Sequence, residues 1–279
     1  SNLALIKTHY YGGIKKYHWV NTLLEMHGVV FTKEGKKVEV SIGNKPNDPK
    51  FIISDLLPHL ARKQMEKKGK EVVEGEEMNI LIGNLPVDDK KIKEQIKFMV
   101  LKELNHRYNL TEEDFTCAEL ELVPYSKPAD IGLDRALIGA YAQDDKVCAY
   151  TSLRALLEVR SPKNTVMGVF VDKEEIGSCG DTGAAGFLLR NFVKGLKLGD
   201  ADLILEQAQS ISADVTAGMN PNYKDVHDPH NVSYLGKGIS VEKYGGGGGK
   251  YSTHDSGAEY MTVVRKILIK NKIPWQTGE

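Results

Sequence analysis

The chain has 279 residues, of which 41% are hydrophobic and 27% charged, and its formal net charge is −1. This is a globular balance with material for a sizeable core and two domains, and the near-zero charge argues against nucleic acid or an anionic membrane as a main partner. No apolar run is long enough to span a bilayer and no signal peptide is visible. The three cysteines (Cys117, Cys148 and Cys179) cannot pair completely and form no CxxC, so the expectation is a cytoplasmic protein with reduced thiols.

Residues 1–124 read as a β-rich module with a few helices. Leu3–Tyr11 and His18–Thr32 are rich in β-branched and aromatic residues, with Gly12 and Gly13 as punctuation. Gly35 sits in a hairpin turn, and Lys37–Ile42 alternates polar and apolar residues. Between Phe51 and Lys68 the period changes: Ile53, Leu56, Leu57, Leu60 and Met65 suit one face of a helix. Met78–Leu81 predicts a short strand, Lys91–Tyr108 an amphipathic helix, and Phe115–Val123 a further strand. Cys117 and Cys148 are expected to fill core space.

Residues 125–279 change to alternating helix and strand. Helices are predicted over Asp144–Glu158, Ala184–Leu196, Ala201–Gln209 and Ala258–Lys270. Strands are predicted over Thr165–Val171, Ile211–Thr216 and Ile239–Lys243. That alternation implies a mostly parallel sheet covered on both faces, in an α/β protein. No internal repeat is apparent. The ends, at Ser1 and Glu279, carry no capping or tail composition, which reads as part of a longer chain.

Three acidic sites fall at predicted element ends in this second half. Asp144-Asp145 opens a helix, Glu174-Glu175 closes a strand, and Asp214 closes another before a turn-rich loop. Adjacent carboxylates raise each other's pKa unless a cation or hydrogen bond offsets them, and a divalent metal is the obvious cation. One carboxylate ligates while a neighbour handles the proton of an activated water. Each site also has a plainer reading: a helix cap at Asp144 or Asp145, a solvated Glu pair, and a turn-forming Asp214. Among the histidines, none forms an HExxH; His227 and His230 flank Pro229 in a polar loop, and His59 lies on the apolar face of the helix predicted over Phe51–Lys68. The run Gly245–Gly249 fails the phosphate-loop pattern, because Tyr244 replaces the first Gly and Tyr251 the Ser or Thr after Lys250. It reads as a flexible loop able to close over a site.

Five stretches stand in order: Lys7-Thr-His-Tyr-Tyr-Gly-Gly-Ile14, Asp55-Leu-Leu-Pro-His-Leu60, Gln143-Asp-Asp-Lys-Val-Cys-Ala-Tyr-Thr-Ser152, Asp172-Lys-Glu-Glu-Ile-Gly-Ser178 and Ser212-Ala-Asp-Val-Thr-Ala-Gly-Met-Asn-Pro-Asn-Tyr223. Together they resemble the zinc aminopeptidases of the aspartyl aminopeptidase and vacuolar aminopeptidase I family, over essentially the whole chain. The resemblance implies an α/β/α catalytic domain, here residues 125–279 and incomplete at its C-terminal end, with a β-rich dimerisation domain over residues 1–124. It implies self-association into dimers and a tetrahedral dodecamer, peptide substrates, and no nucleic-acid or membrane partner. It implies two metal ions, zinc with cobalt or manganese as alternatives, bridged by Asp145 and further ligated by Glu175 and Asp214. Glu174 becomes the general base, His59 reaches a neighbouring subunit's oxyanion, and Tyr251 lines the substrate site. The family's two further His ligands map onto no His here. The competing reading is therefore a non-catalytic assembly subunit or inactive fragment. Glu242 or Lys243 falls near the specificity pocket, which leaves acidic against neutral N-terminal preference open.

Overall fold

The computed structural model describes residues 2–245 and 254–278. Its chain divides into two compact units, residues 1–141 with 169–208, and residues 142–168 with 209–279.

In the first unit the strands are β1 (Ala4–Ile6), β2 (Leu24–Phe31), β3 (Lys37–Ile42), β4 (Ile52–Ile53), β5 (Ile80–Gly83), β6 (Ala118–Pro124), β7 (Ala129–Ile131) and β8 (Leu137–Gly139). The helices are α1 (Arg62–Met65) and α2 (Gln95–Tyr108). The central strand is β2, which pairs antiparallel with β3 on one side and β6 on the other. Along β3 the side chains alternate as the pleat requires: Lys37, Glu39 and Ser41 are exposed, while Val40 and Ile42 are buried. Val40 and Ile42 join Met26, Val30 and Leu110 in one core cluster, and Leu104 and Tyr108 of α2 cover it. Gly28 on β2 is at φ 147°, and a Cβ there would lie 2.0 Å from the Glu119 carbonyl oxygen on β6. Only glycine permits that approach of two backbones. A second sheet, ordered β1-β5-β4, packs with Leu24, Val73 and Met78 around Ile53 and Ile80.

The helix expected over Phe51–Lys68 shrinks to α1. Pro58 disfavours helical backbone at the residue before it, so the chain turns there and only Arg62–Met65 winds up. Leu56, Leu57, Leu60 and Met65 consequently stay exposed instead of facing a core. Cys117 is also exposed rather than filling a core, and Cys148 is half-buried.

The same unit carries α4 (Leu188–Gly195) and α5 (Ala201–Glu206), numbered after α3 (Gln143–Glu158) of the second unit. Arg190 on α4 grips Asp202 on α5 through two hydrogen bonds of 2.7 and 2.8 Å. Asp200 caps α5 by accepting from the amides of Asp202 and Leu203.

The second unit holds α3, β9 (Ile239–Glu242), β10 (Tyr244–Gly245), β11 (His254–Asp255), α6 (Ala258–Lys270) and β12 (Trp275–Gly278). β9 and β12 pair in parallel, and α6 lies between them in sequence, as a parallel pair requires a long crossover. The Gln276 side chain accepts from the Tyr234 amide at 2.9 Å and donates to the Tyr234 and Gly238 carbonyls, tying the loop before β9 to β12.

This pair is the only parallel ladder among the described residues, where the sequence predicts a larger sheet. Thr165–Val171 and Ile211–Thr216 have strand composition but make no ladder there; a single bridge, Asp172 to Gly183, falls just beyond the first. A parallel strand is stabilised by hydrogen bonds to neighbours and by cover on both faces, and without them Val166, Val169 and Phe170 remain exposed. No helix among the described residues is long and apolar enough to cross a membrane.

Asp114 anchors the first unit from inside. It is buried, and its carboxylate accepts from the Lys33 amide at 2.9 Å, the Thr111 amide at 2.7 Å and the Thr111 hydroxyl at 2.8 Å. The Thr111 amide and hydroxyl, with the Lys33 amide, hold the carboxyl below its usual range. A depressed folded pKa contributes stability above the unfolded value near ~4 and loses it as pH falls through the folded value. Asp114→Asn is expected to lower Tm by several degrees at neutral pH and to flatten the loss of Tm below about pH 4. Thermal melts from pH 2 to 7 check both effects.

Candidate metal centre

In the second unit, α3 starts irregularly. Ala142 precedes it in a left-handed conformation, and Asp144 (φ −81°, ψ 112°) and Asp145 (φ −111°, ψ 20°) are not helical. Their mutual peptide bond is cis. Regular helix therefore begins at Lys146, and the two aspartates stand ahead of it rather than as ordinary helix caps. Asp214 sits in an extended loop, not at a strand end, and its carboxylate accepts from the Val215 amide at 2.7 Å.

These three side chains converge. Among the described residues, one group of three His, Cys, Asp or Glu side chains offers ligand atoms all within 4.8 Å of one another: Asp144, Asp145 and Asp214. All three are exposed. Among the described ion pairs, none joins a lysine or arginine to any of them. Two unit charges at that range repel by on the order of 1 kcal/mol even in water-like surroundings. An all-oxygen set suits a divalent cation, and the residues present fit such an ion by the chemistry of their donors.

Cys148 lies beside this cluster. Burial pushes its thiol up to about 11, aided by a hydrogen bond to Asp145 and the charges of Asp145, Asp214 and Asp144. The thiol follows Asp145 by three residues on α3, one helical turn away, so a sequence signal existed. It was obscured because a cysteine on an amphipathic helix reads as core filler.

In the first unit, Glu174 and Glu175 form a 3-10 turn, Glu174–Ile176, rather than the end of a strand. The turn is laced by backbone hydrogen bonds: Ile176 and Ser178 amides to the Lys173 carbonyl at 3.2 and 2.7 Å, and the Gly177 amide to Glu174 at 3.0 Å. The Asp172 amide donates to Thr182 at 2.9 Å and the Ala185 amide to Ser178 at 3.0 Å, closing the loop on itself. With three residues per turn, adjacent side chains diverge by roughly 120°, so the two carboxylates face different surroundings. Glu175 lies against Gly12, whose added Cβ would fall 2.8 Å from the Glu175 Cβ.

His59 occupies an exposed turn before α1, not the apolar face of a helix. Tyr251 and the run after Gly245, expected as a substrate-lining residue and a closing loop, lie outside the described residues.

The model of the family described as Aminopeptidase I zinc metalloprotease (M18) matches residues 1–279. A probable M18 family aminopeptidase 1 from Thermotoga maritima is 49% identical over 284 residues, covering 99% of this chain and 62% of the relative. Its namesake from Clostridium acetobutylicum is 46% identical over 286 residues, covering 100% of this chain and 62% of the relative. The crystal structure of the Thermotoga maritima M18 family enzyme matches with a TM-score of 0.92 at 48% identity, over 99% of this chain and 62% of that one. The mixed α/β fold expected from the resemblance is thus the fold of these relatives. At 21% identity and a TM-score of 0.67, the yeast mApe1 dodecamer shares the fold over 99% of this chain and 62% of its own. This chain spans about 62% of the length of the relatives it matches. A family model that matches from the first residue to the last, and relatives near half identity across the same span, place the chain in the Aminopeptidase I zinc metalloprotease (M18) family.

Proposed function

We propose that the protein is a metallo-aminopeptidase that hydrolyses the N-terminal peptide bond of peptide substrates. The observation that carries this reading is the convergence of Asp144, Asp145 and Asp214, with ligand oxygens within 4.8 Å, in a chain of the zinc metalloprotease family. Asp145, Asp214 and Glu175 are the residues that would hold the metal. Zinc is the expected metal, and cobalt or manganese suits the same oxygen donors. When bound, the ions supply Lewis acidity toward the scissile carbonyl and make an attacking water more acidic.

The remaining chemistry belongs to the chain. Glu174 takes the proton of the attacking water and returns it to the leaving amine. His59, from a neighbouring subunit, donates a hydrogen bond to the developing oxyanion. Its exposure, with Leu56, Leu57 and Leu60 exposed beside it, suits a residue that acts across a subunit boundary. Tyr251 lines the substrate site. Residues 1–124 form the dimerisation domain and 125–279 the catalytic domain, and dimers build a tetrahedral dodecamer. The protein acts in the cytoplasm.

The competing reading is a non-catalytic assembly subunit. It draws on the two further His ligands that the family resemblance implies and that map onto no His here. Metal analysis separates the two: stoichiometric zinc or cobalt together with hydrolysis excludes it.

Asp214→Asn removes one of three repelling charges. It is expected to leave the Tm of the metal-free protein unchanged or slightly raised, while lowering zinc affinity by at least the ~10–100-fold typical of groups that only support a ligand. Equilibrium dialysis and thermal melts in a chelator measure both. Glu174→Gln is expected to reduce kcat on an aminoacyl reporter by roughly 10²–10⁴ with zinc binding retained. Wild-type turnover in that variant refutes Glu174 as the base.

A further inference from the structure

Residues 7–14 reach the Glu174–Glu175 turn, and the metal chemistry assigns them nothing. The segment is pinned before and after Gly12. The Thr8 hydroxyl donates to the Met78 carbonyl, and Lys7 pairs with Glu76 at 2.8 Å. The Tyr10 ring lies against Gly75, where an added Cβ would meet its Cε1 at 3.0 Å, and the Lys16 ammonium sits 5.3 Å from the ring centroid. Beyond Gly12, Ile14 and Trp19 pack on the core cluster of Leu24, Ile53 and Ile80. Between these anchors Gly12 is left-handed, at φ 66°. A Cβ built there would lie 2.8 Å from the Glu175 Cβ, 3.1 Å from its Oε2 and 3.3 Å from its carbonyl oxygen. Its neighbour Gly13 meets nothing within 4 Å.

We propose that Gly12 is a positioning residue for Glu175: its left-handed, side-chain-free backbone is a fixed wall against which the Glu175 side chain is seated for metal binding. This rests on the reading of Glu175 as a metal ligand. Three physical points carry it. The wall is rigid, because Thr8, Tyr10 and Ile14 hold the segment to the body of the unit. An added Cβ would crowd the carboxylate itself, not only the backbone of the turn. And the Glu174–Ile176 turn is closed by its own hydrogen bonds, so a displaced Glu175 cannot be accommodated by reshaping the turn without breaking them. A ligand carboxylate works only within a narrow range of positions, and the groups that orient it tune metal affinity.

The test uses zinc alone as the probe, with affinity measured by competition against a chromogenic chelator. Gly12→Ala and Gly12→Asn both place a Cβ against Glu175, and Asn tolerates the left-handed conformation better than other side chains. Both are expected to lose at least ~10-fold in zinc affinity. Gly35→Ala controls for backbone strain alone, since Gly35 is at φ 79° with nothing within 4 Å of its added Cβ. Gly13→Ala controls for the added methyl. Both controls are expected to keep wild-type affinity. Zinc affinity within twofold of wild type in folded Gly12→Asn, or an equal loss in Gly35→Ala, overturns the proposal. Should both Gly12 variants fail to fold, recovery of folding on adding Glu175→Gly supports the contact, and no recovery overturns it. Glu175→Gln separates the two levels. If it weakens zinc while Gly12→Asn does not, the Gly12 role falls alone. If it leaves zinc affinity unchanged, the ligand reading of Glu175 falls and this inference with it.

Discussion

Mutual repulsion among Asp144, Asp145 and Asp214 is the constraint on which the second unit's chemistry turns. Ligand oxygens within 4.8 Å of one another place three like charges in mutual repulsion. The start of α3 offsets part of it, because the amide-rich N-terminus of a helix favours negative charge. The non-helical backbone of Asp144 and Asp145 keeps both carboxylates ahead of the regular turns, where that end of the dipole acts. One turn further along, the Cys148 thiol is held above its usual range first by burial and then by its hydrogen bond to Asp145 and the neighbouring charges.

The first unit solves a different problem, which is rigidity. Its sheet is organised around β2, paired on both edges, with Gly28 allowing the β6 backbone to come close. Asp114 satisfies three donors from the hairpin and from the exit of α2, so two connections are fixed at once by one buried carboxylate. The Glu174–Glu175 turn lies beside Gly12, where an added Cβ would crowd Glu175, on a segment held to the core. A carboxylate proposed to bind a cation at a defined position is best carried by such an element, because loose loops cost entropy each time a ligand set is assembled.

The chain therefore distributes its acidic residues over two kinds of support. Asp145 and Asp214 depend on an irregular helix start and an extended loop, held in part by local bonds such as the Val215 amide to Asp214. Glu174 and Glu175 depend on a self-closed turn. Neither support is a strand end, although strand ends are where α/β proteins usually place their chemistry.

Amino-acid order alone determined much of this. Alternation made β3 legible, the helical period made α2, α3 and α6 legible, and five short motifs carried the family. Those features are local, and local periodicity records which face of an element is buried. Thr165–Val171 shows the limit: its β-branched composition is real, but a strand exists only through hydrogen bonds to another segment, and none forms among the described residues. Pro58 shows a second limit, since one backbone restriction outweighs a well-spaced apolar face. The convergence of Asp144 and Asp145 with Asp214 and the approach of Gly12 to Glu175 were decided by tertiary structure alone. Each joins positions through three-dimensional geometry, and the distances that set charge, hydrogen bonding and steric exclusion there are not written in residue order.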